Sequence, residues 1–240
     1  MFVPLIGLSV GDIDVSVDST AQERADDLSQ PGNVIVWDES LQWMEENTPD
    51  PGQYNTPDGE PMEYMGTYDR TDDYEYPDGA YGVLSWWDYG HWITNRAERI
   101  PNANPFQQGA DSAANFLIAP NETQANDVLN DVDEDDAQTR YVAVDWKMAN
   151  TYGGPNGGKF FAPPRFYDVS NVSAGDYYGS IRNPGNPTEE YFNYRTQAYY
   201  DSMVVRLYQY HGSAKAPQPY VVDWERGPYP NGQPYRAMPQ

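Results

Sequence analysis

Residues 85–93 read Ser85-Trp86-Trp87-Asp88-Tyr89-Gly90-His91-Trp92-Ile93 and concentrate groups suited to holding a small polar ligand. Two indole N–H donors beside one carboxylate match a hydroxyl, which both donates and accepts a hydrogen bond. A site built around a hydroxyl rejects analogues that lack it, because its own polar groups would be left unpaired. The same residues also fit a plain structural role. Asp88 can cap the helix that follows, and tryptophans are common in cores.

A second group lies downstream, at Asp145-Trp146-Lys147-Met148, followed by the glycine-rich stretch 153–158 and by Lys159-Phe160-Phe161-Ala162. Gly153, Gly158 and Lys159 have the spacing of a phosphate-binding loop. That loop needs Ser or Thr next and a helix behind it, whereas Phe160 and then Pro163-Pro164 stand there, so nucleotide binding is excluded. The acidic run Asp131-Val132-Asp133-Glu134-Asp135-Asp136 lacks the glycine and the bidentate Glu of a calcium loop and reads as a solvated charge run. His91 and His211 are too far apart for metal-ligand spacing. Asn121-Glu122-Thr123 and Asn171-Val172-Ser173 are N-glycosylation sequons, short enough to occur by chance.

The elements that must position these groups follow from periodicity and punctuation. A buried strand is expected at Tyr81–Ser85, feeding a helix over Tyr89–Asn95, and a second strand at Tyr141–Val144. Ser19 to Gln30 reads as a polar helix stopped by Pro31-Gly32. Asp38 is expected to cap a short helix with Trp37, Leu41 and Met44 on one face, ended by Pro49. Residues 50–78 read as a long surface loop. Helices are expected at Asp111–Ile118 and Glu122–Asp131. The longest helix is expected from Thr188 as N-cap to Gly212, burying Phe192, Tyr199, Met203, Leu207 and Tyr210. A strand at Tyr220-Val221-Val222 would open a further, truncated β-rich domain. The fold class is therefore mixed α/β: a helix-rich core with a few central strands. The domain plan places a membrane-proximal segment or linker at 1–18, the core at 19–213, and the start of the β domain at 214–240.

Composition narrows the partners. The 240 residues hold 37 Asp and Glu against 14 Lys and Arg, a net charge of −23, which repels nucleic acid and anionic lipid. A mean hydropathy of −0.81 alone would suggest disorder, yet seven Trp, 21 Tyr and seven Phe supply ample burial area. An acidic surface with lysine only at 147, 159 and 215 fits a halophile, since molar salt screens its self-repulsion. The absence of cysteine excludes disulfides and thiolate chemistry. The apolar start, Met1 to Leu8, is too short to span a bilayer; it reads equally as the end of a membrane helix or as an ordinary N-terminus.

Trp86-Trp87-Asp88-Tyr89-Gly90 resembles the WWDYG signature of oligosaccharyltransferase catalytic subunits. The segment from Arg99 through Ile100-Pro101-Asn102-Ala103-Asn104-Pro105-Phe106 to Gln107 is similar to the one following that signature in archaeal, and notably haloarchaeal, members. The resemblance implies a C-terminal soluble part of an enzyme that moves a lipid-linked glycan, on dolichyl phosphate or diphosphate, onto Asn of Asn-x-Ser/Thr acceptor polypeptides. It implies that Trp86, Trp87 and Asp88 grip the sequon hydroxyl, with Tyr89 and Gly90 beside them. Asp145 and Met148 match the Asp-x-x-Met form of the family's second motif, which shapes that pocket, and Lys159 stands as its displaced lysine. The family uses Mn2+ or Mg2+ held by carboxylates between membrane helices; neither those helices nor that metal is expected in this chain, which is expected to be inactive alone, and no catalytic residue is assigned. The implied location is the extracytoplasmic face of the cell membrane. Two readings from other classes compete: a non-catalytic carbohydrate-binding protein and a cell-envelope protein of a halophile.

Overall fold

The computed structural model describes residues 32–215 except 65, 68–74, 136, 153–156, 170 and 184–185; for 32–34, 134–135, 181–183 and 186–192 it describes the backbone alone. The expected helix at Ser19–Gln30 and the strand at Tyr220–Val222 lie outside the described residues.

A small parallel sheet organises the core. Its strands are β1 (Gly82–Leu84), β2 (Ile100–Pro101) and β3 (Thr139–Val142), in the order β2-β1-β3. Gly82 faces Ile100 on one side and Thr139 on the other, and Leu84 faces Val142. All three residues of β1 are buried, as expected of a central parallel strand covered on both faces. Pro101 has no N–H to donate and sits in the edge strand, where a missing donor is tolerated. Asn102 ties the sheet together below this edge: its amide donates to Ala137 O at 2.8 Å and accepts from Thr139 Oγ1 at 3.2 Å. It occupies the space that a side chain on Gly82 would need.

Helices pack around the sheet. They are α1 (Gly32–Asn47), α2 (Gly90–Ala97), α3 (Ala110–Leu117), α4 (Glu122–Asp135) and α5 (Trp146–Ala149). Leu41, Val83, Leu84, Ile93, Leu117, Phe160 and Tyr199 are among the fully buried residues of one cluster. Among the described side chains of α4 only Ala125 and Val132 are buried, so most of them face solvent.

Two expected elements are corrected. Asp38 does not cap α1: the helix starts six positions earlier at Gly32, and Asp38 lies in its interior, paired with Arg96 at 2.6 Å. The β-branched stretch Val34-Ile35-Val36 disfavours helix locally, but Trp37, Leu41 and Met44 pack on the core and fix the helical register. The expected helix from Thr188 to Gly212 is three elements: β5 (Asn186–Arg195), α6 (Gln197–Asp201) and α7 (Met203–Tyr210). Residues 186–195 pair antiparallel with β4 (Tyr178–Asn183), a partner no local periodicity reveals. Thr196 stands at the true helix start, and Ser202, with ψ 137°, breaks the remainder in two. The stripe from Tyr199 through Met203 and Leu207 to Tyr210 does pack on the core.

Gly90 carries a sharp steric requirement. A Cβ there would fall 2.2 Å from Ala103 O and 2.7 Å from Asn104 Cα. Both are backbone atoms of the segment after β2, so they cannot swing aside. Gly90→Ala is expected to cost about 1–3 kcal/mol or more by overpacking, read as a lower denaturation midpoint in molar salt. An unchanged midpoint would contradict this packing.

Candidate functional site

The two sequence groups leave the sheet at the same edge. β1 ends at Leu84 and runs through Ser85-Trp86 into a 3-10 turn, Trp87–Tyr89, and then α2. β3 ends at Val142 and runs into Asp145 and α5. Ala143 N–H donates to Leu84 O at 2.9 Å and Ser85 Oγ donates to Ala143 O at 2.8 Å, so the loops stay laced beyond the strands. The C-terminal ends of parallel strands are where open α/β sheets commonly hold ligands.

Asp145 is the hub of the second loop. Its Oδ1 accepts from Met148 N–H at 2.8 Å, capping α5. Its Oδ2 accepts from Trp37 Nε1 at 3.0 Å and from Tyr89 Oη at 3.1 Å. One carboxylate thus fastens α1, the first motif and the second motif together. Tyr89 stacks on Trp37 with centroids 4.5 Å apart and lies 5.1 Å from Trp92. Met148, 1% exposed, fills the core behind it.

Asp88 caps neither the 3-10 turn nor α2; both lack a side-chain cap bond. Its carboxylate forms an ion pair with Lys159, whose ammonium also lies 4.7 Å from the centre of the Tyr89 ring. Lys159 is held from behind: its N–H donates to Lys147 O at 2.6 Å, and the adjacent Phe160 is fully buried against Tyr177 and Tyr199. With side chains 27% and 31% exposed, the Asp88–Lys159 pair lines an accessible surface rather than the interior.

The tryptophans differ in role. Trp86 is 2% exposed and packs edge-on against Phe166 at 5.5 Å, forming a wall. Trp87 is half-buried, and its Nε1–H is shielded from solvent without a hydrogen-bond partner among the described residues. Leaving a buried donor unpaired costs about 1–3 kcal/mol, so the position invites an acceptor. Gly90 contributes the close backbone approach described above.

Three residues that the sequence reading gave no site role complete the arrangement. Trp37 supplies a donor to Asp145, Phe166 closes the aromatic wall, and Arg99 anchors the end of α1. The apolar stripe on α1 was the only local signal for Trp37, and Phe166 had none.

Burial, followed by the carboxylates of Asp145 and Asp88, pushes the Tyr89 phenol far above its usual range. Burial, followed by Tyr167 and Asp176, pushes Tyr177 up to about 12. Folded-state values are raised, so the unfolded chain releases these protons first. The stability tied to them is complete below about pH 10 and lost as pH climbs above it. Denaturant midpoints are expected to be flat from about pH 8 to 9.5 and to fall by about pH 11.5. A flat profile across the whole range would contradict the buried phenols.

The residues do not fit the metal that the resemblance implies. Among the described residues no three His, Cys, Asp or Glu side chains converge on a point, so no chemical step is derived through a metal here. No helix among them is long and apolar enough to cross a membrane. Both sequon asparagines are exposed; Asn121 Oδ1 caps α4 by accepting from Gln124 N–H at 2.9 Å.

Comparison with known proteins places this geometry. Residues 34–149 match the AglB core domain. The chain is 53% identical over 202 residues, 81% of its length, to the dolichyl-monophosphooligosaccharide–protein glycotransferase AglB of Haloferax volcanii. A crystal structure of an Archaeoglobus fulgidus oligosaccharyltransferase complexed with Zn and sulfate superposes with a TM-score of 0.56 at 30% identity, over 74% of this chain and 24% of that one. The same protein tethered to an acceptor peptide containing an NVT sequon gives 0.52 at 29% identity, over 74% and 22%. The chain spans only 19% of the Haloferax protein's length.

Proposed function

We infer that the chain belongs to the archaeal oligosaccharyltransferases, from its match to the AglB core domain at residues 34–149 and its 53% identity to the Haloferax protein. The chain is the acceptor-recognising part of a larger enzyme that transfers a lipid-linked glycan to Asn in Asn-x-Ser/Thr sequons. The transferase acts at the cell membrane, on its extracytoplasmic face. The lipid-linked donor and any Mn2+ or Mg2+ are held by parts of the enzyme outside this segment. On this reading the core is assigned to 19–213, between a membrane-proximal segment or linker at 1–18 and the start of a further domain at 214–240.

One observation carries this reading: the shielded Trp87 indole N–H, without a partner among the described residues, adjoins the partly exposed Asp88 carboxylate in the chain. A Ser or Thr hydroxyl satisfies both at once, donating to Asp88 and accepting from Trp87. A carboxylate offers about four lone-pair sites, so pairing with Lys159 leaves capacity for the hydroxyl. Lys159 holds Asp88 in place, Trp86 and Phe166 wall the pocket, and Asp145 fixes Tyr89 and α5 beside it. An acceptor with Ala at the third position leaves the indole unpaired and the carboxylate without a donor, and is rejected on that account.

The test is a peptide titration in molar salt, following the tryptophan indole N–H resonances by NMR. An Asn-x-Thr peptide is expected to shift the Trp87 resonance more than an otherwise identical Asn-x-Ala peptide. Equal shifts from the two peptides would overturn the hydroxyl pocket.

A further inference from the structure

A second cleft opens where the loop after α5 meets the β4–β5 hairpin. It has a volume of 220 Å³ and is lined by Thr151, Tyr152, Tyr178, Ser180, Asn193, Tyr194 and Arg195, with Gly179 in its floor. This volume is below the ~300 Å³ at which pockets for drug-sized ligands begin, so the cleft takes one small ring. We propose that it is a saccharide subsite that seats a single sugar ring and prefers one bearing an acidic group.

The aromatic groups supply the platform. Tyr194 lies across the strand from Gly179, and its ring covers that glycine so closely that an added Cβ would fall 2.7 Å from Cζ. One face of the ring is thereby pressed on the hairpin while the side chain stays 38% exposed. Tyr152, 53% exposed, also lines the cleft. Large flat rings held rigid and left open to solvent suit the apolar C–H face of a sugar, at low conformational cost. The hydroxyl of Tyr178, the amide of Asn193 and the guanidinium of Arg195 bring both donors and acceptors, as a polyhydroxylated ligand requires.

Charge selects further. The chain carries 37 acidic residues, yet among the described residues that line this cleft none is a carboxylate and Arg195 is the ionised one. Arg195 is fixed in place: Nε donates to Thr151 Oγ1 at 3.3 Å, and the guanidinium sits over the rings of Tyr152 and Tyr199 at 5.4 and 4.9 Å. A guanidinium so oriented pairs with a carboxylate through two parallel N–H donors, which survive high salt better than bare Coulomb attraction does.

The cleft and the Asp88 pocket share a loop. Gly158 N–H donates to Tyr152 O at 2.5 Å, and the next residue is the Lys159 that pairs with Asp88. A sugar seated against Tyr152 is thus mechanically connected to the acceptor site. Its assignment to the transferred glycan rests on the function proposed above, but binding by the cleft does not.

Saturation-transfer NMR on the whole 240-residue chain tests this with methyl β-D-glucuronide and methyl β-D-glucoside in molar KCl. Transfer to both sugars is expected, stronger for the glucuronide. Tyr152→Ala and Tyr194→Ala alter exposed side chains and are expected to weaken both signals about tenfold without lowering the denaturation midpoint. An Asn-x-Thr peptide is expected to displace neither sugar, which separates this site from the acceptor pocket. Transfer undiminished by either tyrosine change, or glucuronide binding that sodium sulfate displaces while the glucoside never binds, would overturn the subsite in favour of no site or a bare anion site.

Discussion

Asp88→Ala, placed in a full-length transferase carrying this segment, is expected to lower transfer to an Asn-x-Thr peptide by about 10- to 150-fold, the equivalent of the 1.5–3 kcal/mol carried by a hydrogen bond to a charged group. Transfer to an Asn-x-Ala peptide, already poor, is expected to change little. The ratio between the two peptides should therefore collapse, and that ratio is the measurement. A general loss of structure would lower both rates together and leave the ratio intact. Lys159→Met provides the counterpart. It leaves the carboxylate but removes the cation that holds it, so its effect on the ratio is expected to be smaller. A mutant at Asp88 that still discriminates as the parent does would remove the hydroxyl grip from the mechanism.

The second large effect concerns stability. Arg99 is 3% exposed, and its guanidinium donates to Glu45 O and Thr48 O at 2.8 Å, to Ala97 O and Glu98 O at 3.1 Å, and through Nε to Thr48 Oγ1 at 2.8 Å. These bonds satisfy carbonyls at the C-terminal ends of α1 and α2, where the helix dipoles also favour a cation. Arg99→Met keeps most of the buried volume but strands those acceptors. Its cost is expected to be about 3–5 kcal/mol, the range for breaking a buried charged network. Set against a total of roughly 5–15 kcal/mol for a domain, that is enough to bring the core near its folding limit. Equilibrium denaturation in molar salt measures it, and a loss under about 1 kcal/mol would mean that water replaces the guanidinium freely.

The parts of the fold that were legible in the sequence are those fixed by local chemistry. The apolar run at Tyr81–Ser85, the glycine and proline punctuation of the described part of 50–78, and the helices near 110–118 and 122–131 each follow from short-range pattern. The Thr188–Gly212 stretch shows the limit. Its aromatic spacing fits a helix as well as a strand until β4 offers a partner, and only then does Asn186–Arg195 extend. Asp38 shows it again, because a good capping residue inside a helix is outvoted by Trp37, Leu41 and Met44 packing on the core.

The candidate site divides along the same line. By itself the sequence supplied the members of the proposed site: two tryptophans and an aspartate in a row, a second motif with Asp145 and Met148, and a resemblance specific enough to name a family. The tertiary structure alone decided which groups meet. It brought Lys159 to Asp88 across 71 positions and Tyr89 to Asp145 across 56, buried Trp86 as a wall, and left the Trp87 N–H shielded and without a partner among the described residues. The reason is physical. Residue type and local spacing act through the backbone within a turn or two, whereas an ion pair or an orphaned donor depends on how distant segments pack, and that is settled only when the whole core closes.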